Sequence, residues 1–317
     1  MTIAPVRIAF VVTAFADDVA ALADDRVRAL ADELAGHDVT VGPWRRLAHA
    51  PAVVELPVWR ELLGEPRVGA RDLRRLVLHV AGAGVDVAVR PDTPERRAPR
   101  LVVFDMDSTL IQLETIDELA RLHGVADQVV EVTRRAMNGE LDFEQSLRHR
   151  VGLLAGLDAA VLADVAGRLP LMPGAAPLIR ALRALGCRTA VVSGGFTFAT
   201  AALQRLLGLD EAHANRLEIA DGRLTGRLID PVVTPEGKAR ALERIAAEHG
   251  IPLAATVAVG DGANDLFMLD RAGLGVAFHA KPRVAAAADT ALSTGGLDRL
   301  LHLFGLTADD IAAHSRA

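Results

Sequence analysis

A chain of 317 residues is too long for one small core, so about two domains are expected. With 41 acidic against 35 basic residues, a formal charge of -6 and no basic tract, the composition argues against a nucleic-acid partner. No apolar run approaches the ~20 residues needed to span a bilayer, and a single cysteine, Cys187, excludes an intramolecular disulfide.

Aromatic residues are sparse, with no Tyr, 2 Trp and 9 Phe, so the core must be mostly Ala, Leu and Val, which suits α/β layers. Cys187 opens an apolar run and reads as core rather than as a reactive thiol. The first residues, MTIAPVRIAFVVTAFADD, lack the charged start and cleavage pattern of a signal peptide, so a cytoplasmic protein is expected.

Val6 to Val12 predicts a strand, and Asp25 to Leu34 a helix with Val27, Leu30, Ala31 and Leu34 at helical spacing and Gly36 at its end. Ala52 to Val58 is a second strand, for which Pro57 argues an edge position. Arg71 to Val80 repeats the helical spacing, and Val85 to Val89 returns to period two. This order over residues 1–90 points to a ferredoxin-like α+β sandwich of the split βαβ type. Arg90 to Arg100, RPDTPERRAPR, combines three prolines with charges and no periodicity, so residues 91–100 are expected to be a linker.

The apolar run Leu101 to Phe104 then enters Asp105-Met106-Asp107-Ser108-Thr109, which predicts a buried parallel strand with acids at its carboxyl end. Two carboxylates so close repel unless a cation lies between them, and a hard divalent ion with oxygen ligands is the usual answer. Thr115 and Glu118 have capping-box spacing, opening a helix that Gly124 closes. Helical signals continue to Leu154, so an α-helical cap insertion of about 112–171 is expected over the strand ends.

A helix from Gly174 to Leu185 precedes a strand, Arg188 to Val192, that ends in Ser193-Gly194-Gly195. A further helix, Phe196 to Leu207, leads to Leu217 to Ile229, which carries Asp221-Gly222 and predicts a hairpin. Thr234-Pro235 opens a helix with Lys238 in its first turn. Val257 to Val259 is a short buried strand ending in Gly260-Asp261-Gly262-Ala263-Asn264-Asp265. Strand–helix units persist to the end, so residues 101–317 are expected to form a doubly wound parallel sheet.

The stretches FDMDSTLI, ETIDELA, AMNGELDFEQSLRHRV, VVSGGF, ANRLEIADGRLTG, EGK, VAVGDGAND and GVAFHAKP bring acids, hydroxyls and a lysine to one sheet edge. In order and spacing they resemble the haloacid-dehalogenase superfamily of phosphatases, and within it the phosphoserine phosphatases. The chemistry of the residues agrees: phosphate-monoester hydrolysis is very slow uncatalysed, so charge neutralisation and positioning must supply the rate.

The resemblance implies a Mg2+-dependent phosphatase that turns phosphoserine into serine and phosphate through an aspartyl-phosphate, the last step of serine biosynthesis. Asp105 would be the nucleophile, Asp107 the proton donor and acceptor, and Lys238 a charge neutraliser. Mg2+ would lie between Asp105, Asp261 and the backbone carbonyl of Asp107, with Thr109 and Asp265 in support. Ser193 and Gly194 would hold phosphate oxygens. Glu114 would take the substrate ammonium and Arg150 its carboxylate, beneath Met137 and Phe143. Asn264 is either a substrate contact or a helix cap, and His149 and His279 read as structural.

Residues 1–90 resemble an ACT-like domain in element order alone, and the glycine that family often uses after its first strand has no clear counterpart in Ala14 to Asp25. An amino-acid sensor and a docking module, including one that pairs two copies as a homodimer, both fit. Competing readings of the whole are another small-metabolite phosphatase, a phosphotransferase, or an amino-acid-sensing regulator with an idle core.

Overall fold

The computed structural model describes residues 6–37, 39–62, 70–82 and 84–314; residues 1–5 of the stretch read for a leader lie outside these. The first sheet is antiparallel. It comprises β1 (Val6–Ala16), then, after α1 (Asp24–Ala35), the short β2 (Thr40–Val41) and β3 (Arg45–Ala48), then β4 (Ala52–Leu62) and, after α2 (Ala70–Ala81), β5 (Val85–Pro91). The order β2-β4-β1-β5, with β3 also on β4, is that of a split βαβ sandwich. Val12, Ala14, Val54, Leu56 and Val58 pack on Val27, Leu30, Leu34, Leu73 and Val77 of the two helices.

Pro57 is not on an edge strand, because β4 pairs with β1 on one side and with β2 and β3 on the other. It falls between the Val41–Val58 and Arg45–Glu55 pairs, where no ladder bond asks for its missing N–H. Its carbonyl still accepts from Gly42 N–H at 2.8 Å. The stretch expected as a bare linker also has structure. After β5 reaches Pro91, the single turn α3 (Pro94–Arg97) turns Arg96 inward, 1% exposed, against Glu55 at 3.1 Å.

The second sheet begins with β6 (Leu101–Phe104), all four residues wholly buried. Full burial of each such side chain is worth roughly 1.5–3 kcal/mol, so β6 is a firm base for the acids at its carboxyl end. Four helices come next: α4 (Thr115–His123), α5 (Ala126–Met137), α6 (Phe143–Gly152) and α7 (Ala160–Ala166). The chain leaves and re-enters through one narrow stem, where Ile111 bridges Leu171 and Met172 N–H donates to Leu110 O at 2.8 Å.

Beyond the stem lie α8 (Ala175–Ala184), β7 (Arg188–Phe196), α9 (Thr197–Leu207), β8 (Glu211–Ala220) and β9 (Arg223–Ile229), and α10 (Pro235–Glu248). After these come β10 (Thr256–Gly260), α11 (Leu266–Arg271), β11 (Leu274–Phe278), α12 (Pro282–Ala287), β12 (Thr290–Leu292), α13 (Leu300–Leu303) and α14 (Ala308–His314). The strand order β12-β11-β10-β6-β7-β8-β9 puts β6 in the middle, parallel to its neighbours, with only β9 reversed. That reversal is the expected hairpin: Asp221 (φ 49°) and Gly222 (φ 73°) both take the left-handed conformation its two-residue turn requires. Apolar clusters cover both faces of this sheet.

Candidate active site

Three neighbouring strands, β7, β6 and β10, end at one edge, and the cap helices stand over it. Their ends and the cap line a cavity of about 180 Å³ that includes Asp105, Asp107, Ser193, Gly194, Asp261 and Asn264. Asp105 continues β6, its N–H donating to Val259 O at 2.9 Å. Beyond it the chain turns sharply, with Thr109, Leu110 and Ile111 N–H groups all reaching Met106 O and Ser108 at φ 58°.

That turn directs each side chain to a partner. Thr109 Oγ1 donates to Asp261 Oδ1 at 3.1 Å, and Ser108 Oγ to Glu114 Oε1 at 2.8 Å. Asp107 accepts from Thr115 twice, from N–H at 3.0 Å and from the hydroxyl at 3.2 Å. The expected Thr115–Glu118 capping box is therefore replaced. Asp107 takes the first N–H of α4, where the helix dipole favours an anion, and Glu118 pairs with Arg121 instead.

Lys238 enters from the first turn of α10, which Thr234 caps by accepting Gly237 N–H at 3.1 Å. The lysine is wholly buried, with Nζ 2.7 Å from Asp105 Oδ1 and 2.7 Å from Asp265 Oδ1. Asp265 Oδ2 accepts Gly262 N–H at 3.0 Å, so both of its oxygens are engaged. Glycine is required here: a Cβ on Gly260 would lie 2.5 Å from the Asp265 carboxyl, and one on Gly195 2.6 Å from Asp107 Oδ2.

In the cap, Asp142 accepts Gln145 N–H at 2.8 Å and starts α6. The helix then presents Phe143, Leu147 and Arg150 to the cavity at one-face spacing, with Glu114 beside them. Phe143 reaches across to Gly194, where a Cβ would lie 3.0 Å from its Cζ. Met137, at the end of α5, is 70% exposed and is not brought to the cavity. His149 and His279 also lie outside it.

The site is short of positive charge. Among the described residues, Asp105, Asp107, Glu114, Asp261 and Asp265 face only Lys238 and Arg150. Burial, then Asp265, pushes the Asp105 carboxyl up to about 8 against the opposing pull of Lys238. Burial, Asp265 and Glu114 push Asp261 up to about 6, opposed by the Thr109 hydroxyl and Lys238. Asp107 is raised well above the carboxylate range by burial, Glu114 and Asp105. Burial pulls down on Lys238, but Asp105 and Asp265 outweigh it and hold the ammonium above its ordinary value. Asp105, Asp261 and Asp265 each offer an oxygen within 4.8 Å of the others, a hard donor set that fits a small divalent cation.

Residues that sequence reasoning left without a role include Thr115, which clamps Asp107, Ser108, which holds Glu114, and Asn215. Asn215 is a buried amide on β8 that bonds both Gly194 O and Val233 N–H. No local signal singles it out, because β8, EAHANRLEIA, also carries Glu211, His213, Arg216 and Glu218.

Residues 102–270, more than half of the chain, match the family model of haloacid dehalogenase-like hydrolases. The phosphoserine phosphatase of Streptomyces coelicolor is 57% identical over 238 residues, 75% of this chain and 58% of that protein. The phosphoserine phosphatase of Mycobacterium tuberculosis is 53% identical over 229 residues, 72% of this chain and 56% of that protein. The chain thus spans less than two thirds of the length of these relatives. A solved structure of a haloacid-dehalogenase-family hydrolase from Salmonella enterica serovar Typhi superposes with a TM-score of 0.77 at 31% identity, over 93% of this chain and 98% of that one. On its fold, its site and these likenesses, the chain belongs to the haloacid dehalogenase-like hydrolases.

Proposed function

We propose that this chain is a Mg2+-dependent phosphoserine phosphatase that works through an aspartyl-phosphate on Asp105. The observation that carries this reading is one cavity lined by two sets of groups. One is the Asp105 carboxylate, held by a buried lysine, and the other is Glu114 and Arg150. Phosphoserine has a phosphate for the first and an ammonium and a carboxylate for the second. The names of the two curated relatives support the same substrate.

In this reading an Asp105 oxygen attacks phosphorus as the bond to the serine oxygen breaks. Asp107 gives that oxygen its proton. Water then attacks the phosphorus of the aspartyl-phosphate, Asp107 takes the proton of that water, and phosphate leaves with Asp105 restored. Lys238 offsets charge on Asp105, while Ser193 and Gly194 receive phosphate oxygens. Asp105, Asp261 and the Asp107 carbonyl would hold Mg2+, and Thr109 and Asp265 would steady them. When bound, the ion supplies positive charge against phosphate and carboxylate. Asp265 suits support rather than ligation, because Lys238 and Gly262 already occupy its oxygens. Phe143 would close over the substrate and Asn264 would contact it.

Residues 1–90 are proposed as a regulatory or dimerisation unit of the ACT-like kind, with 91–100 as its connection and 101–317 as the catalytic unit; the split βαβ sheet order supports this division. No helix among the described residues is long and apolar enough to cross a membrane, and we place the enzyme's work in the cytoplasm. The test is phosphate release from a panel of phospho-metabolites with and without Mg2+. Preferred, Mg2+-dependent turnover of phosphoserine is expected. Equal turnover of phosphate esters lacking an amino-acid moiety would overturn the substrate assignment.

A further inference from the structure

The parallel pairing of β7 with β8 breaks at the cavity. Val192 pairs with His213 and Phe196 with Asn215, so Ser193, Gly194 and Gly195 stand opposite Ala214 alone. The two extra residues bulge out of the sheet, and a bulge leaves ladder groups without their usual partners. One of these, the Gly194 carbonyl, is taken by a side chain: Asn215 Nδ2 donates to it at 2.8 Å. Oδ1 of the same amide accepts Val233 N–H at 2.7 Å, and Val233 directly precedes Thr234, the cap of the helix that carries Lys238. Asn215 is 1% exposed, so both bonds lie out of water.

The geometry points to Asn215 as a positioning residue that fixes the polarity of the Ser193–Gly195 bulge and ties it to the lysine helix. This rests on the phosphatase reading, because it concerns the part of the site that would receive phosphate. In a trans peptide the carbonyl and the N–H point in opposite directions. Asn215 holds the Gly194 carbonyl toward β8, and so keeps the Gly195 N–H on the other side, where it donates to Ser193 Oγ at 2.8 Å. Both flanking residues are glycines, for which a flip of that peptide meets little steric resistance. Flipped, the peptide would turn a carbonyl oxygen toward an incoming phosphate.

The test compares wild type with Asn215→Asp, which keeps an acceptor for Val233 N–H but sets a carboxylate oxygen against the Gly194 carbonyl. Binding of inorganic phosphate, followed by calorimetry on the Mg2+-loaded protein, should weaken at least 10-fold. kcat/KM for phosphoserine and for p-nitrophenyl phosphate should fall by the same factor, since the two share only the phosphate. Adding Ser193→Ala to Asn215→Asp should cost little more than the larger single change, a coupling that mere destabilisation would not produce. Asn215→Ser, too short to bridge to Gly194, supplies the same comparison if the aspartate variant does not fold. A third measurement needs no variant: the Gly195 amide signal of wild type should shift on phosphate binding. Phosphate affinity within threefold of wild type in a folded variant, or an unmoved Gly195 signal, would overturn the inference. If wild type binds phosphate yet does not turn over phosphoserine, the functional reading fails while the phosphate measurements still decide the role of Asn215.

Discussion

Lys238 and Asp105 meet at 2.7 Å with the lysine wholly buried, and the same ammonium lies 2.7 Å from Asp265. Breaking a buried ion pair by removing one partner typically costs 3–5 kcal/mol, because the other charge is stranded. Lys238→Met, which keeps the length and loses the charge, should lower unfolding free energy by roughly that amount in urea titrations. Turnover should be lost with it. Asp105→Asn should instead remove turnover while leaving the unfolding midpoint near that of wild type, because Lys238 keeps Asp265 as its partner and one crowded carboxylate is removed. A Lys238→Met variant as stable as wild type would mean that the acids around it are neutral in the folded protein.

The acid cluster predicts metal-linked stability. A ligand that binds only the folded state adds about 2.7 kcal/mol at one hundred times its dissociation constant. Protein stripped with a chelator should therefore melt lower and recover with added Mg2+. Asp261→Asn, which removes one charge from the cluster and keeps a hydrogen-bond acceptor for Thr109, should abolish most of that recovery. A full Mg2+ response in Asp261→Asn would take this residue out of the ligand set.

Cys187 gives a prediction with a definite sign. Burial, with a further push from Asp210, raises its thiol to about 12, whereas an unfolded cysteine ionises near 8.5. The unfolded chain thus releases its proton first, and this group's contribution to stability declines as pH rises from about 8.5 toward 12. At pH 8 the folded thiolate fraction is about a thousandfold lower than that of a free cysteine. A disulfide reagent should leave Cys187 untouched until denaturant is added; rapid labelling of the native protein would show that the core opens there.

Glu114 and Arg150 are expected to select the amino-acid part of the substrate. Removing one partner of a buried, hydrogen-bonded charge pair costs roughly 2–5 kcal/mol. Arg150→Ala should then cut kcat/KM for phosphoserine about 30-fold or more, at ~1.4 kcal/mol per tenfold. Turnover of p-nitrophenyl phosphate should change far less. Ser108→Ala, which frees Glu114 Oε1 from its 2.8 Å bond, should move in the same direction by a smaller factor. Equal losses on both substrates would assign these residues to folding or cap closure.

The strand-end acids were legible in the sequence because each comes after an unbroken apolar run, and such runs announce their own ends. The hairpin was legible because Asp221-Gly222 is one of few pairs that fit its turn. The hidden features are relationships between distant residues. Nothing local says that Thr115 serves Asp107 rather than Glu118, since both satisfy the same helix terminus. Asn215 bonds Gly194, 21 positions earlier, across a bulge that strand periodicity cannot register. Pro57 was misplaced because a proline marks a missing ladder bond, and a gap between two short partner strands supplies that as well as an edge does.

The stretch 91–100 is more structured than its composition suggested, and that changes what truncation should do. Proline and charge suggested an open connection, yet Arg96 is buried against Glu55, which is 3% exposed and also bonded by Arg45. Phe15, Leu47, Val53 and Ala88 of the first sheet belong to the same apolar cluster as Leu292 of β12 and as Leu303 and Phe304 at the end of α13. The outer strands β5 and β12 meet, with Thr290 Oγ1 donating to Val87 O at 3.1 Å and Ser293 N–H to Asp86 at 2.6 Å. A protein starting at Pro99 would expose that apolar surface and leave β12 as an open edge, which invites aggregation. It should precipitate or melt well below the full chain, by roughly 10 °C or more on the rule that 1 kcal/mol moves a midpoint by about 2–4 °C in a domain of this size. Glu55→Gln in the full chain isolates the charge contribution: it leaves Arg96 to the longer 3.7 Å pair with Asp92 and should cost up to roughly 3–5 kcal/mol with the apolar contacts intact. A truncated protein that keeps both the wild-type midpoint and wild-type turnover would show that the shared cluster adds nothing to the stability of the catalytic unit.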